Sequence, residues 1–309
     1  MSVENETLYA LTGCTAVGKT ALALDWAEAN DAEIVSCDSL LLYRRLDIGT
    51  AKPTREDLGR VPHHLIDIRD ASVAMDIGDY VKLAIATIED IRSRGKRVLV
   101  TGGSGFYLKA FFAPVVDAVV VSPAVREQVL EIEASEGLQG MVRKLEEIDP
   151  NCQSEVDTEN GRRVIRALER CLETGKTIRE LKTEFAAQSN LLTEAPKRLV
   201  FLTRDRDQLN ERIALRVSEM LKGGLIDEVA RLKAEGFEAN ASASGSIGYR
   251  ETLAHLRGEY DLDELKETIA TNTRRLAKKQ RTWFRTQLPQ GKTIELDGES
   301  QVSVDTLFK

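Results

Sequence analysis

The stretch GCTAVGKT, Gly13–Thr20, decides the fold of this 309-residue chain. It fits the pattern G-x-x-x-x-G-K-[ST], in which glycines let backbone amides turn toward a phosphate and a following helix offers its positive N-terminus. The flanking residues supply the context that the pattern needs. TLYALTG, residues 7–13, is an apolar run ending in glycine and predicts a buried strand. KTALALDWAEAN, residues 19–30, predicts a helix with leucines and alanines on one side. Gly13 and Gly18 shape the turn, and Thr15, Ala16 and Val17 supply amides between them. Lys19 can reach the terminal phosphate, and Thr20 can place its hydroxyl on Mg²⁺. The motif establishes phosphate binding and leaves open whose phosphates are bound.

Working outward, AEIVSCDS (32–39) and KRVLVTGG (96–103) are further β-rich runs, the second entering another glycine-rich turn, GGSGFYLKAFF. Strands alternating with helices predict an α/β fold: a P-loop NTPase-like parallel sheet with helices on both faces. After Pro114 the texture changes. SPAVREQVLEIEASEGLQGMVRKLEEIDP opens with Ser122 as N-cap and Pro123 at the first helical position. The chain then reads as helical to about Ala195, before KRLVFLTRDRDQLNERI returns a strand and a helix to the sheet. The expected organisation is a core formed by 1–114 and 196–309, interrupted by a helical insertion at 115–195.

Composition sets outer bounds. An apolar fraction of 42% excludes wholesale disorder. The net charge of −7 argues mildly against a purely electrostatic nucleic-acid binder, but the cations cluster in RRVIRALER (162–170) and RRLAKKQRTWFR (274–285). The opening residues lack a basic and apolar leader, and no apolar run approaches the ~20 residues that span a bilayer. Cys14, Cys37, Cys152 and Cys171 lack metal-site spacing and read as buried thiols of a reducing cytosol. A cytoplasmic protein with no membrane association is expected.

Two residues stand out beside the loop. Asp38 ends the second strand, and ligands of open α/β sheets bind beyond the carboxyl ends of strands. It either caps a turn there or accepts a proton from a nucleophile. Ser104, in the turn after the next strand, approaches the same edge.

The run DSLLLYRRLDIGTAKP, Asp38–Pro53, is more specific than a P-loop. Together with GCTAVGKT, PHHLIDI, GGSGFYL, RRVIRALE, RIALRVSEML, GLIDEV, SIGYRE and TRRLAKKQRTWFR, it resembles the tRNA dimethylallyltransferases, also called tRNA isopentenyltransferases. The motifs run in order along almost the whole chain. The resemblance implies transfer of a dimethylallyl group from dimethylallyl diphosphate to N6 of adenine 37 in tRNA, with Mg²⁺ and without consumption of ATP. The loop would then hold the diphosphate of the donor, and ATP would be only a weak competitor for its amides. Asp38 is implied as the general base and Ser104 as the hydroxyl in the reaction channel, where the family usually has threonine. Arg216 is implied at the donor phosphates.

Toward tRNA, the resemblance implies Asp38, Ser39, Leu40, Leu41, Ser104 and Arg126, the last equally readable as a surface cation. Arg162, Arg163 and Arg166 are left for solvent or RNA once Val164, Ile165, Leu168 and Leu172 are assigned to a core. Arg274, Lys278, Arg281 and Arg285 fall on one helical stripe beside Lys279, either solvated or bound to RNA phosphates. Trp26 and Trp283 read as packing residues. The sequence departs from the family at Leu41, usually glutamine, and at DTEN, Asp157–Asn160, where the family has HPND.

The rival readings are a prenyltransferase of free adenine nucleotides, a P-loop small-molecule kinase with Asp38 activating a hydroxyl, and an RNA-binding module without catalysis. The target base must leave its stack to present N6, so a flipped adenine in a central channel is expected. A monomer is expected.

Overall fold

A computed structural model describes residues 3–297 and 302–309. Among the described residues, six strands form one sheet: β1 (Leu8–Gly13), β2 (Ala32–Ser36), β3 (His63–His64), β4 (Arg97–Gly102), β5 (Lys197–Thr203) and β6 (Lys292–Glu295). Their spatial order is β3-β2-β4-β1-β5-β6, and every pair is parallel. β1 and β2 are buried along their whole length, as expected of largely apolar strands in a covered parallel sheet, with Glu33 the one charged residue among them. The two edge strands, β3 and β6, are short and carry no apolar run, so neither was read from the sequence.

Strand order positions the site. β4 lies between β1 and β2, with Thr12 opposite Gly102 and Ser36 opposite Thr101. The segments leaving these three strands therefore emerge side by side at the carboxyl edge. These are the phosphate loop, the turn at Gly103–Ser104, and Asp38.

The helices used below are α1 (Lys19–Ala29), α2 (Ile77–Ser93), α3 (Gly105–Lys109), α4 (Pro123–Ile148), α5 (Gly161–Thr174), α6 (Ile178–Ala186), α7 (Arg206–Lys222), α8 (Leu225–Ala234), α9 (Tyr249–Leu256) and α10 (Leu262–Gln287). α1 starts after Gly18, whose φ of 115° lies in the left-handed region that glycine enters without strain. No acidic side chain stands in its first turn, so its N-terminal dipole stays available to an anion. Trp26, on α1, packs between Tyr9 and Phe308 with ring centroids 4.7 and 4.8 Å away, a packing role as expected.

The chain divides into two compact units, one of residues 3–112 with the described part of 191–309, the other Ala113–Asn190. The sequence expectation of 115–195 for the insertion runs past the second junction. Leu191–Glu194 forms a helical turn with Leu192 fully buried, and Leu8 donates to the Pro196 carbonyl at 2.8 Å, tying that segment to the sheet.

The second unit has its own core. Val129, Met141 and Leu145 of α4 pack with Val164, Leu168 and Cys171 of α5 and Leu181 of α6. Ser122 caps α4 by accepting from the Val125 amide at 3.4 Å, while Gly137, with φ 64°, breaks that helix midway. Buried Asp149 accepts from the Asn151 and Ile178 amides at 3.1 and 3.0 Å, joining the end of α4 to the start of α6. All four cysteines are buried and unbridged.

Candidate active site

The phosphate loop is braced by its own carbonyls. Lys19 Nζ donates to the Gly13 and Cys14 carbonyls, both at 2.9 Å. Arg212 Nε donates to the Ala16 carbonyl at 2.8 Å, and Arg204 Nε to that of Val17 at 3.2 Å. Bonding the carbonyls to cations fixes the turn and collects positive charge around it. Burial lowers the Lys19 ammonium to about 8, with the charges of Cys14 and Asp38 acting in the opposite direction. Burial likewise lowers the Arg216 guanidinium, and Arg212 beside it adds to that. An anion would relieve these crowded cations.

Across the edge, Asp38 Oδ1 accepts from the Leu40 amide at 2.9 Å, so one carboxylate oxygen does cap a turn. Ser104 Oγ accepts from the Ser39 amide at 2.9 Å and stands 3.1 Å from the Ser39 hydroxyl. Ser104 therefore holds the Asp38–Ser39 turn in place.

These groups line one cavity of about 980 Å³. Its wall includes Thr15, Ala16, Gly18, Lys19 and Thr20 from the loop and Asp38, Ser39, Leu40 and Leu41 from the next segment. Ser104, Arg216 and Lys279 complete the expected residues found there. Gly13 and Val17 lie behind the wall, and the Val17 side chain is fully buried in the core. Its place in the loop is a backbone one.

The remaining expected residues lie elsewhere. Lys278, Arg281 and Arg285 are exposed on α10, while Arg274 is half-buried and paired to Glu267 at 2.5 Å. Arg126, Arg162, Arg163 and Arg166 are exposed in the second unit. Arg163 pairs with Asp157 at 3.2 Å and Arg166 with Glu169 at 2.8 Å. Within DTEN, then, Asp157 engages a basic residue and Asn160 caps α5 by accepting from the Arg163 amide at 3.3 Å.

Several residues carry the site without having been read from the sequence. Arg212 precedes Arg216 by four positions on α7, a spacing that puts both on one face and that could have been noticed. Gln280 bonds the Thr15 amide and the Gly103 carbonyl, and nothing marks it among its cationic neighbours. The ring of Trp283 lies against Gly105, where an added Cβ would come within 2.4 Å of it, so the glycine admits α10 to the site.

The DIGTAKP loop borders the cavity through Gly49, Thr50, Ala51 and Pro53. Buried Glu228, on α8, accepts from the amides of Asp47 (3.1 Å), Ile48 (2.7 Å) and Gly49 (3.2 Å) and from the Tyr249 hydroxyl (2.8 Å). Burial, then the Glu228 charge, pushes the Tyr249 phenol well up. GLIDEV and SIGYRE thus secure DIGTAKP.

Residues 41–287 match the family model described as IPP transferase. The chain belongs to this family. The tRNA dimethylallyltransferase of Opitutus terrae is 51% identical over 294 residues, covering 95% of this chain and 94% of the relative. That of Geobacter metallireducens is 40% identical over 284 residues, covering 91% and 90%. Among solved structures, the chain resembles the full-length tRNA isopentenylpyrophosphate transferase of Bacillus halodurans, with a TM-score of 0.67, 36% identity and coverage of 94% and 90%. It also resembles a eukaryotic dimethylallyltransferase acting on tRNA, with a TM-score of 0.82, 26% identity and coverage of 94% and 73%. Membership of the IPP transferases agrees with the α/β fold described above and with the motifs read along the sequence.

Proposed function

We propose that this chain transfers the dimethylallyl group from dimethylallyl diphosphate to N6 of adenine 37 in tRNA, as a monomer in the cytosol. One observation carries the reading: a braced diphosphate loop and a strand-end carboxylate, Asp38, line the same cavity. The relatives named tRNA dimethylallyltransferase support dimethylallyl transfer to tRNA.

The exocyclic amine is a weak nucleophile, and the diphosphate leaves only if its growing charge is neutralised. Loop amides, Lys19 and Arg216 stabilise that charge as the C1–O bond breaks and the electron pair departs with the diphosphate. N6 forms the new bond to C1, and its proton passes to the Asp38 carboxylate oxygen that is not engaged by the Leu40 amide. Ser104 fixes the Asp38–Ser39 turn during this exchange.

Among the described residues no cluster of three or more His, Cys, Asp or Glu could cage a metal. This donor set fits Mg²⁺, which keeps its waters and binds through substrate phosphates with few protein ligands. Thr20, at the start of α1 and on the cavity wall, is the residue that would hold it. When bound, Mg²⁺ would supply further neutralisation of the leaving diphosphate. The basic face of α10 would contact tRNA phosphates, and the exposed arginines of the second unit, on α5 and at Arg126, would do so on their own account.

The test uses isotope-labelled dimethylallyl diphosphate, Mg²⁺ and purified protein without any nucleoside triphosphate. Label should pass to tRNA bearing adenine 37 and not to the guanine-37 counterpart, and chelation of Mg²⁺ should stop transfer. Absolute dependence on ATP hydrolysis, with a phosphorylated product, would overturn the reading in favour of a kinase. Transfer to free adenine nucleotides alone would replace the tRNA substrate.

A further inference from the structure

Gln280 lies on α10, the helix that also carries Lys278 and Arg281, yet its side chain turns to the cavity. Its Oε1 accepts from the Thr15 amide at 2.9 Å and its Nε2 donates to the Gly103 carbonyl at 2.8 Å. The orientation of the amide is dictated by its partners, because one backbone group can only donate and the other only accept. One neutral side chain therefore spans the loop after β1 and the turn after β4.

Each end of that span leads to a reacting group. Thr15 belongs to the phosphate loop, whose Gly13 and Cys14 carbonyls hold Lys19. Gly103 precedes Ser104, which holds the Ser39 amide beside Asp38. No strand pairing joins the two loops beyond Thr12 and Gly102, where the β1–β4 ladder ends. The Ser104 amide ties the turn after β4 to the Cys37 carbonyl at 3.4 Å, next to Asp38. The remaining link between diphosphate and carboxylate is the one from that turn to the phosphate loop, which Gln280 bridges.

We propose that Gln280 is a positioning residue: it fixes the distance and orientation between the diphosphate loop and the Asp38 segment. This rests on the function proposed above. A carboxylate is not equivalent, since an ionised Glu would keep the bond to Thr15 and lose the donor to Gly103. Misplacement of reacting groups by about 1 Å can cost on the order of 10²-fold in rate. The effect of removing the clamp should accordingly fall on the chemical step rather than on either substrate's affinity.

The test compares wild type with Q280M, which keeps the length and loses both bonds, and with Q280E. The expected result is a single-turnover rate about 10²-fold lower in Q280M at saturating substrates. Affinities for inorganic pyrophosphate and tRNA should stay within about threefold, with a single cooperative melting transition lowered by no more than the loss of two hydrogen bonds. Q280E should be as slow as Q280M at neutral pH. Its rate relative to wild type should rise as pH falls toward the carboxyl range, where a protonated Glu regains the donor. Hydrogen exchange gives a readout independent of transfer. Pyrophosphate should slow exchange in both 13–20 and 101–106 of wild type, but only in 13–20 of Q280M. A Q280M rate within threefold of wild type, a loss confined to affinity, or equal protection of both segments in Q280M would each overturn the proposal. Absence of transfer by wild type would instead sink the proposed function, and the exchange experiment would still decide the clamp.

Discussion

Asp38 shows how one carboxylate serves both a turn and a reaction, since the Leu40 amide engages a single oxygen. Asp38→Ala should lower single-turnover prenyl transfer by about 10²-fold or more while tRNA still binds. A near-normal rate in that variant would remove Asp38 as the base. Glu228 illustrates the opposite use of a carboxylate, wholly structural, with three amides and a phenol converging on it. Glu228→Ala leaves the buried Tyr249 hydroxyl and three part-buried amides unpaired, at about 1–3 kcal/mol for each group that water cannot reach. The variant should therefore lose roughly 3 kcal/mol or more in a urea titration, against about 1 kcal/mol for Tyr249→Phe. Equal, small losses in the two variants would refute the convergence. The sequence exposed Asp38 because a strand end beside a P-loop is a chemical position. It hid Glu228 because a buried acid on an amphipathic helix looks like any solvated one until its amide partners, 179 to 181 residues upstream, are in place. Gln280 was hidden for a related reason: a neutral amide carries no charge signal, and its two partners are backbone groups.

At the level of elements, the α/β alternation was legible because β1, β2, β4 and β5 each contain a short apolar run and helix-forming stretches separate them. β3 and β6 were not, being short edges whose pairing is decided by neighbours rather than by their own residues. At that β3 edge, Glu33 of β2 is bonded by the Arg94 guanidinium beyond α2 and by His64 Nε2 at 2.6 Å. Arg94, more than His64, holds the Glu33 carboxyl below its ordinary range, against the upward push of burial. Its stabilisation is thus complete above the unfolded value of about 4.3 and is lost as pH falls through the lower folded value. Arg94→Ala should move the acid-unfolding midpoint to higher pH, and an unmoved midpoint would deny the pair any role. α10 makes a second case. Its basic stripe was read from spacing alone, yet Arg274 is already committed to Glu267, leaving Lys278, Arg281 and Arg285 as the exposed members. Lys278→Ala and Arg281→Ala should each make the slope of log affinity for tRNA against log salt shallower by up to ~0.9, and Arg274→Ala by less. Slopes and affinities unchanged from wild type in all three would return the stripe to an ordinary solvated face.

For the whole molecule, the helical insertion was visible as a change of texture after Pro114, and its far junction was misplaced because Leu191–Glu194 is helical yet packs with the sheet. Discontinuity also imposes an order in time. β1 is the strand from which the phosphate loop springs, and its two neighbours are β4 and β5, with Leu8 paired to Val98 on one side and Lys197 on the other. During synthesis at about 5–20 residues per second, β1 waits on the order of ten seconds or longer for its second neighbour. Through that interval the second unit, Ala113–Asn190, emerges complete with its own core and can fold while the first is still half-built. Non-local parallel pairing is slow in any case, because loop closure must precede the contacts that reward it. Ribosome-arrested chains that end before Lys197 should be cut by protease within residues 8–13 while the helices of 123–186 resist. Chains arrested after β5 has emerged should resist in both places. Early protection of β1 in the shorter chains would contradict this order. The loop that grips phosphate is made long before β5, and its scaffold closes only once that strand has emerged.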